Sequence, residues 1–375
     1  MLLFKGCLED DSKDSDENTY DFFNINQYIS KTHFSLLFFI VLIMFILSGL
    51  YKAKTCISTK LVKSTNTRIT NQTPISLEVK ITLPTRIIFG DTETVRRFDS
   101  SELVQLPKNR LGEGSLGTLY KVVLDCGSMI TIRKICKRVT CVTRFEYWVR
   151  FFGGVRDDHW LLPMLFGFWY GGEAFVIHEY LCLGSLEELL HGSEGVQFTP
   201  LNWKIRQEIA LGAAKAVASI HSRVTETGEP LVCGVIKSSN FLIQTDFSPR
   251  LSSYETPYLV SPSTIIRRNC GRMAPELTQT RKIYKFFTQS SDVYSFGILM
   301  LELITGKKPS VTNLGQYVAE KRKREGLKGV PDKRMVGVTD NVSAMIMIAR
   351  MCLLSNPKQR PSMGGVVEMI QSALD

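Results

Sequence analysis

An uncharged apolar run of 18 residues, Phe34 to Tyr51, constrains this chain more than any other feature. As a helix rising ~1.5 Å per residue it would span about 27 Å, close to the ~30 Å hydrocarbon core of a bilayer. A helix buried in a globular core usually keeps a polar stripe; here only Ser35, Ser48 and Gly49 interrupt the Phe, Leu and Ile. The run therefore reads as one transmembrane helix. A cleaved signal peptide fits poorly, because the run starts late and follows an acidic region where a signal carries a basic one.

Flanking charge sets the direction. Lys52, Lys54, Lys60, Lys63 and Arg68 follow the run with no acid among them, whereas only Lys5, Lys13 and Lys31 precede it. The positive-inside tendency puts the N-terminus outside and the long C-terminal part in the cytoplasm; the plasma membrane is the expected location. Residues 1–33 contain Glu9, Asp10, Asp11, Asp14, Asp16, Glu17 and Asp21 and are too short and polar to build a core. They read as a short acidic extracellular tail. Residues 52–97, rich in Thr, Lys and Ser, read as a juxtamembrane linker in which Ile81 to Gly90 can form a short strand. The folded domain is expected at 98–375.

With 44% hydrophobic residues, that domain can bury an ordinary core. The net charge of +10 comes from Lys and Arg that are spread out, apart from Lys321, Arg322, Lys323 and Arg324. A solvated helix face accounts for that run, so no nucleic-acid partner is expected. The nine cysteines (7, 56, 126, 136, 141, 182, 233, 270 and 352) lack the paired short spacings of a zinc site, and Cys136 with Cys141 makes half a site at best. Their odd number and irregular spacing fit reduced cytosolic thiols. Whether Cys7, on the outer side, pairs between chains stays open.

Beyond Phe98 short β-rich runs come first, Leu119 to Leu124, Met129 to Ile135 and Ala174 to Tyr180. Helical periodicity follows: Ile209, Ala213, Val217 and Ile220 recur at helix spacing, as do Val293, Phe296, Met300 and Leu303. The expected class is α+β, a small sheet followed by a helical body.

Several motifs then share one resemblance. The run Leu111 to Lys121, with Gly112, Gly114 and Gly117, is similar to the glycine-rich loop of protein kinases. After it come Glu179-Tyr180, Gly184-Ser185-Leu186, Asn202-Trp203, Ile220-His221, Lys237-Ser238-Ser239-Asn240, Ala274-Pro275-Glu276, Ser291 to Gly297 and Arg360-Pro361-Ser362. In order and spacing these segments resemble plant receptor-like kinases of the leucine-rich-repeat type, over about residues 98 to 373. The resemblance implies a bilobal protein-kinase fold, with a small β-rich N-terminal lobe and a larger α-helical C-terminal lobe. Only the acidic tail precedes the apolar run, so the family's repeat ectodomain is not expected here.

Kinase chemistry needs a strand lysine on the phosphates, an aspartate on the substrate hydroxyl, and an aspartate with an asparagine on magnesium. By the resemblance, the strand motif falls on Ile130-Thr131-Ile132-Arg133 and puts a forked guanidinium, Arg133, in the lysine's place. Lys134 is adjacent, yet strand alternation points it to the opposite face unless a bulge intervenes. The catalytic loop falls on Cys233 to Asn240, keeping Lys237 and Asn240 but setting Val235 where the aspartate belongs. Valine accepts no proton, and general-base help is worth about 10² to 10⁴ in rate. Gly234 replaces the arginine that pairs with a phosphorylated activation loop.

Thirteen residues beyond Asn240, the magnesium motif falls on Ser253-Tyr254-Glu255, a neutral hydroxyl where Mg²⁺ favours carboxylate. Asp246-Phe247-Ser248 imitates that motif but comes only six residues after Asn240 and lacks the glycine. The helical glutamate that pairs with the strand lysine is due near Trp148 or Val149, and Glu146 lies close by but out of register. Fold-supporting positions are kept: Lys237, Asp292 to brace the catalytic loop, and Glu276 with Arg360 as an ion pair.

The resemblance therefore implies a membrane-anchored pseudokinase without catalytic or metal-binding residues. Its vestigial nucleotide site would comprise Gly112, Gly114, Gly117, Arg133, Glu179 and Asn240. No cofactor is required, and ATP with magnesium binds weakly or not at all. The expected partners are the bilayer, through 34–51, and other receptor-like kinases or signalling proteins at the membrane, which the domain would scaffold or regulate allosterically. The alternatives are a weakly active ATP-dependent serine/threonine kinase that uses Arg133, and a folded remnant without partners. Ser261-Pro262-Ser263-Thr264, before Arg267 and Arg268, can accept phosphate, although an exposed loop is the simpler reading.

Overall fold

β-Branched and aromatic runs in the first half of the domain form an antiparallel sheet that wraps a helix between itself and the rest of the chain. The structure, a computed structural model, describes residues 85–90, 100–136, 142–155, 158–192, 201–234, 236–269, 271–278, 286–335, 338 and 341–375. All belong to one unit, residues 80–375. The sheet lobe comprises β1 (Thr85–Phe89), α1 (Ser100–Gln105), β2 (Asn109–Glu113), β3 (Gly117–Val123), β4 (Met129–Ile135), α2 (Val142–Gly153), β5 (Met164–Tyr170) and β6 (Glu173–Glu179). The six strands run in the order β1-β5-β6-β4-β3-β2.

Period-two alternation divides the two faces of this sheet. Ile130 and Ile132 of β4 join Phe175 and Ile177 of β6, Phe166 and Phe168 of β5, and Leu103 of α1 in a small outer cluster. The opposite face, with Ile135 and Val176, meets Phe145, Val149 and Phe152 of α2 in the main core. Pairing of β4 with β3 and with β6 is unbroken, so no bulge re-aims its side chains. Lys134 accordingly turns away from Arg133 and pairs with Glu173 at 2.6 Å.

The strand expected within Ile81 to Gly90 is present as β1 and joins the sheet beside β5. Ile88 is buried there, and Phe89 packs so closely that a Cβ on Gly153 would lie 2.6 Å from its ring. The folded unit thus begins ahead of the boundary placed at residue 98, because this short apolar pair is buried against α2. The acidic tail, the Phe34 to Tyr51 run and residues 52–84 lie outside the described residues. Among the described residues no helix is long and apolar enough to cross a membrane.

The helical body follows: α3 (Leu186–His191), α4 (Trp203–His221), a 3-10 turn at Ser238–Asn240, the hairpin of β7 (Phe241–Ile243) and β8 (Pro249–Leu251), α5 (Thr256–Leu259), α6 (Pro262–Arg268), α7 (Pro275–Thr278), α8 (Gln289–Thr305), α9 (Leu314–Glu325), α10 (Val342–Cys352) and α11 (Met363–Leu374). Asn202 caps α4 by accepting from the Ile205 amide, and Ile209, Ala213, Val217 and Ile220 form its buried stripe. α8 begins with a capping box between Thr288 and Ser291 and ends at Gly306, whose φ of 63° is the left-handed cap conformation. It is buried on nearly every side, against α4, α9 and α10. Arg322, Lys323 and Arg324 lie exposed on α9, and Lys321 pairs with Glu325 one turn on.

Candidate functional site

The sheet lobe and the helical body meet along a cavity of about 410 Å³. Its roof is the β2–β3 hairpin with Gly112 and Gly114. The turn depends on Gly117, whose φ is 150° and where a Cβ would lie 2.0 Å from the Lys134 carbonyl oxygen. The Gly114 amide closes the turn on the Gly117 carbonyl at 2.9 Å. Beneath the roof lies Arg133, whose Nη1 would sit 3.8 Å from a Cβ on Gly114.

Arg133 is 8% exposed and donates from Nη2 to Ser253 Oγ at 2.9 Å, while its Nε is buried with no acceptor. Burial lowers its pKa, and the charge of Glu255 opposes that shift. Ser253 itself holds a left-handed φ of 63°, and its carbonyl accepts from Thr256 Oγ1 at 2.7 Å. Glu255 is buried with one carboxylate oxygen unbonded; burial raises its carboxyl and Arg133 pulls it back. Tyr254 points the other way and donates to the Leu162 carbonyl at 3.0 Å.

On the body side, the Asn240 carbonyl accepts from the Ser252 amide at 2.8 Å and hydroxyl at 2.9 Å, which fixes the 3-10 turn to the strand after it. Lys237 lines the cavity. Burial lowers its pKa first, Arg272 lowers it further, Glu187 opposes, and Arg133 and Arg268 add to the lowering. Glu179 is exposed at the end of β6, and its neighbours His178, Tyr180 and Leu181 line the wall instead. Three carboxylates reach the cavity, of which Glu113 is bonded to Arg110 at 2.7 Å and Glu188 to the Ser185 amide at 2.7 Å.

No glutamate of α2 pairs with the strand cation, and the out-of-register Glu146 is bonded elsewhere. Glu146, the only acid of α2, accepts from Arg86 Nη2 of β1 at 2.7 Å and from Trp169 Nε1 at 3.0 Å. Val149 is buried in the core, and Trp148 stacks on Tyr258 with ring centroids 4.1 Å apart. Asp246, Phe247 and Ser248 form the tight turn between β7 and β8, where Asp246 accepts from the Ser248 amide at 2.8 Å. They do not line the cavity.

Three of the four fold-supporting positions, Asp292, Glu276 and Arg360, are tightly bonded. Asp292 accepts from the Cys233 amide at 2.6 Å, from the Gly234 amide at 2.7 Å and from His221 Nε2 at 3.0 Å. Burial pushes the Cys233 thiol up, so it stays protonated at neutral pH, and this triplet is a hydrogen-bonded brace. Val235, next in the loop, lies outside the described residues. Arg360 grips Glu276 with two bonds of 2.6 and 2.9 Å. Burial works to raise the Glu276 carboxyl, but the Arg360 bonds outweigh it and hold the carboxyl below its usual range.

Four site residues were not legible as such. Thr131, at the alanine of the strand motif, donates to the His178 carbonyl at 3.3 Å and narrows the wall. His178 is pushed down to about 4, chiefly by burial and then by Arg133, so it is neutral at pH 7. Arg272 reaches Glu302 at 3.2 Å inside the body. Tyr258, on α5, accepts from the Val232 amide at 2.7 Å and donates to its carbonyl at 3.1 Å, seating the segment after Ser253 on the catalytic loop. Of these, only the Thr131 substitution left a trace in the motif.

Known proteins resemble this chain in sequence and fold. The family described as protein tyrosine and serine/threonine kinase matches residues 106–370. A probable inactive receptor kinase of Arabidopsis thaliana, RLK902, is 34% identical over 301 residues, covering 76% of this chain and 44% of its own length. The leucine-rich-repeat receptor-like kinase PXC1 of the same plant is 31% identical over 314 residues, covering 76% of this chain and 45% of its own. This chain thus spans less than half the length of these relatives. The maize SIRK1 kinase domain, solved with AMP-PNP, superposes with a TM-score of 0.67 at 26% identity, covering 78% of this chain and 100% of that one. The pseudokinase domain of BIR2 shares the fold, with a TM-score of 0.59 at 24% identity, covering 79% of this chain and 90% of its own. The bilobal fold, the glycine-roofed cavity and these relatives lead to one conclusion: the chain belongs to the protein kinase family, among the plant receptor-like kinases.

Proposed function

We propose that this chain is a membrane-anchored pseudokinase that acts in signalling by binding active kinases, as a scaffold or allosteric partner, without transferring phosphate itself. The observation that carries this reading is the Arg133–Ser253 hydrogen bond at 2.9 Å. By the likeness to kinases it joins the two positions that hold phosphate and metal there, and a cation bonded to Ser253 argues against a divalent ion beside it. Magnesium does not fit this donor set: Ser253 is neutral and engaged by a cation, and Arg133 already occupies the gap. Relatives named as probable inactive receptor kinases support the same reading.

Thermal-shift titration of the full chain in detergent, alongside radiolabelled phosphate transfer, is the first test. The expected result is weak or absent stabilisation by ATP with magnesium and no incorporation of label. Tight, magnesium-dependent stabilisation with label transfer would favour the alternative, a weak serine/threonine kinase built on the retained glycine loop, Lys237 and Asn240. Val235→Asp alone should not restore activity, because the losses lie in one transition-state constellation whose members act together. Robust transfer by that single variant, without Arg133→Lys and Ser253→Asp, would remove the argument from those two positions.

Anchoring through Phe34 to Tyr51 would hold the domain beside other receptor-like kinases at the plasma membrane and raise their effective concentration. Co-purification from membranes in mild detergent, with and without the run, tests the partnership. An active kinase should be recovered with the full chain and lost with the truncated one. Recovery of no kinase, or of one equally active without this protein, would sink the scaffold role.

A further inference from the structure

The basic run Lys321 to Arg324 is one part of a larger face. Residues 307–334 hold nine Lys and Arg against three acids, a surplus of six in a chain whose net charge is +10. The fold gathers them where the C-terminal ends of α8 and α9 come together. The Asp332 amide donates to the Ile304 carbonyl of α8 at 2.9 Å, and a Cβ on Gly306 would meet the Asp332 carboxylate and Arg334. α9 buries Leu314 and Val318 and leads into the 3-10 turn Leu327–Gly329, where a Cβ on Gly329 would meet Glu325. Lys333 and Arg324 both act on the Glu325 charge, which sets the two segments side by side.

The acids of this face are already engaged. Glu325 accepts from Lys321 at 2.5 Å, and Asp332 pairs with Arg206 at 2.9 Å and with Arg334 at 2.7 Å. Glu320, bonded to Gln316, is what remains against Lys307, Arg322, Lys323, Arg324, Lys328 and Lys333. These six are exposed and have no acidic partner among the described residues. The two helix C-termini add a partial charge of about −0.5 each, too little to balance them. Like charges gathered on one face repel one another, and an anion from outside relieves that repulsion.

We infer that this face docks on the anionic leaflet of the bilayer that anchors the chain, through headgroups such as phosphatidylserine. The inference rests on the anchorage proposed above and adds a second membrane contact to it. Roughly four to eight Lys and Arg on an amphipathic helix suffice to recognise anionic lipid, each cation near the surface contributing about fivefold in affinity. Residues 52–84 lie between the apolar run and β1. A chain of that length reaches at most about 120 Å, well beyond the ~50 Å width of a domain this size, so the tether lets the face meet the bilayer. Tethering also keeps the leaflet at a high effective concentration, which makes a weak contact sufficient.

The test reconstitutes the full chain, domain outward, into phosphatidylcholine vesicles with and without phosphatidylserine. Exposed lysines are acylated with a membrane-impermeant reagent and read by mass spectrometry. Lys358 is the internal reference: Ser290 Oγ donates to the neighbouring Pro357 carbonyl at the start of α8, about 25 Å along that helix from Gly306. With phosphatidylserine, acylation of Lys323, Lys328 and Lys333 should slow about fivefold or more relative to Lys358, and high salt should abolish the difference. Arg322→Gln with Arg324→Gln, both exposed positions, should restore much of the rate at the three lysines. Equal rates in the two kinds of vesicle, a slowing that Lys358 shares, or a slowing that the double variant leaves unchanged overturns this inference; retention of the chain in alkaline carbonate then leaves the anchorage standing. Protection in native membranes without protection by phosphatidylserine assigns the face to an acidic protein and overturns it too. Release of the chain by carbonate overturns both.

Discussion

Two buried guanidiniums in this molecule have unequal energetic standing. Arg360, with its side chain 0% exposed, spends its donors on both Glu276 oxygens and on the Leu354 and Ser290 carbonyls. Removing one partner of such a pair strands the other, at a cost of about 3–5 kcal/mol. Arg133 has one good bond and an orphan Nε, and the buried Glu255 beside it, whose carboxyl burial already raises, can take up a proton when the guanidinium is removed. Arg360→Ala is therefore expected to lower the melting midpoint markedly, and Arg133→Met to lower it less. A large loss on Arg133→Met would show that the Ser253 bond holds the lobes together. The substitution at Arg133 is legible in the motif, but its new partner is not: Ser253 lies 120 residues away, and nothing in either local sequence announces the bond.

Between elements, the segment after Ser253 is the piece that most departs from the sequence-based expectation. α5 and α6 fold it into two short helices, and Tyr258 wedges between Trp148 of α2 and the Val232 backbone. Tyr258→Phe keeps the stacking but leaves the Val232 amide and carbonyl without that hydroxyl, a loss of about 1–3 kcal/mol. Faster amide exchange across Val232 to Gly234, with a modest drop in melting midpoint, is the expected outcome; exchange unchanged there would show that the Asp292 brace alone fixes the loop. Strands were readable as short runs rich in β-branched and aromatic residues, buried on both faces: β4 lies at Met129–Ile135 as expected, and β6 one residue earlier than expected. β3 starts two residues before the expected Leu119, since Gly117 carries no strand signal and pairs with Ile135 all the same. Helices of four and seven residues such as α5 and α6 are too short for any periodicity to register.

At the scale of the whole chain, the kinase fold and the proposed membrane anchorage have separate physical grounds. The fold rests on residues 85–375, where caps, core and ion pairs agree; the anchorage rests on the hydropathy and flanking charge of Phe34 to Tyr51 alone. Charge asymmetry is the decisive part, because five basic residues follow the run without an acid, and basic segments are retained on the cytoplasmic side. The acidic residues 9–21 should then face outward and the kinase-like domain inward. Protease added to sealed, right-side-out plasma-membrane vesicles should trim the chain by only a few kilodaltons and leave the domain intact until detergent opens the vesicle. An epitope placed before Phe34 should vanish in the sealed sample, while one after Asp375 persists. Digestion of the domain in sealed vesicles would reverse the orientation. Release of the intact chain by alkaline carbonate would deny the anchor altogether, and with it the membrane-enhanced partnership, while leaving the Arg133–Ser253 bond, on which the proposed loss of catalysis rests, untouched.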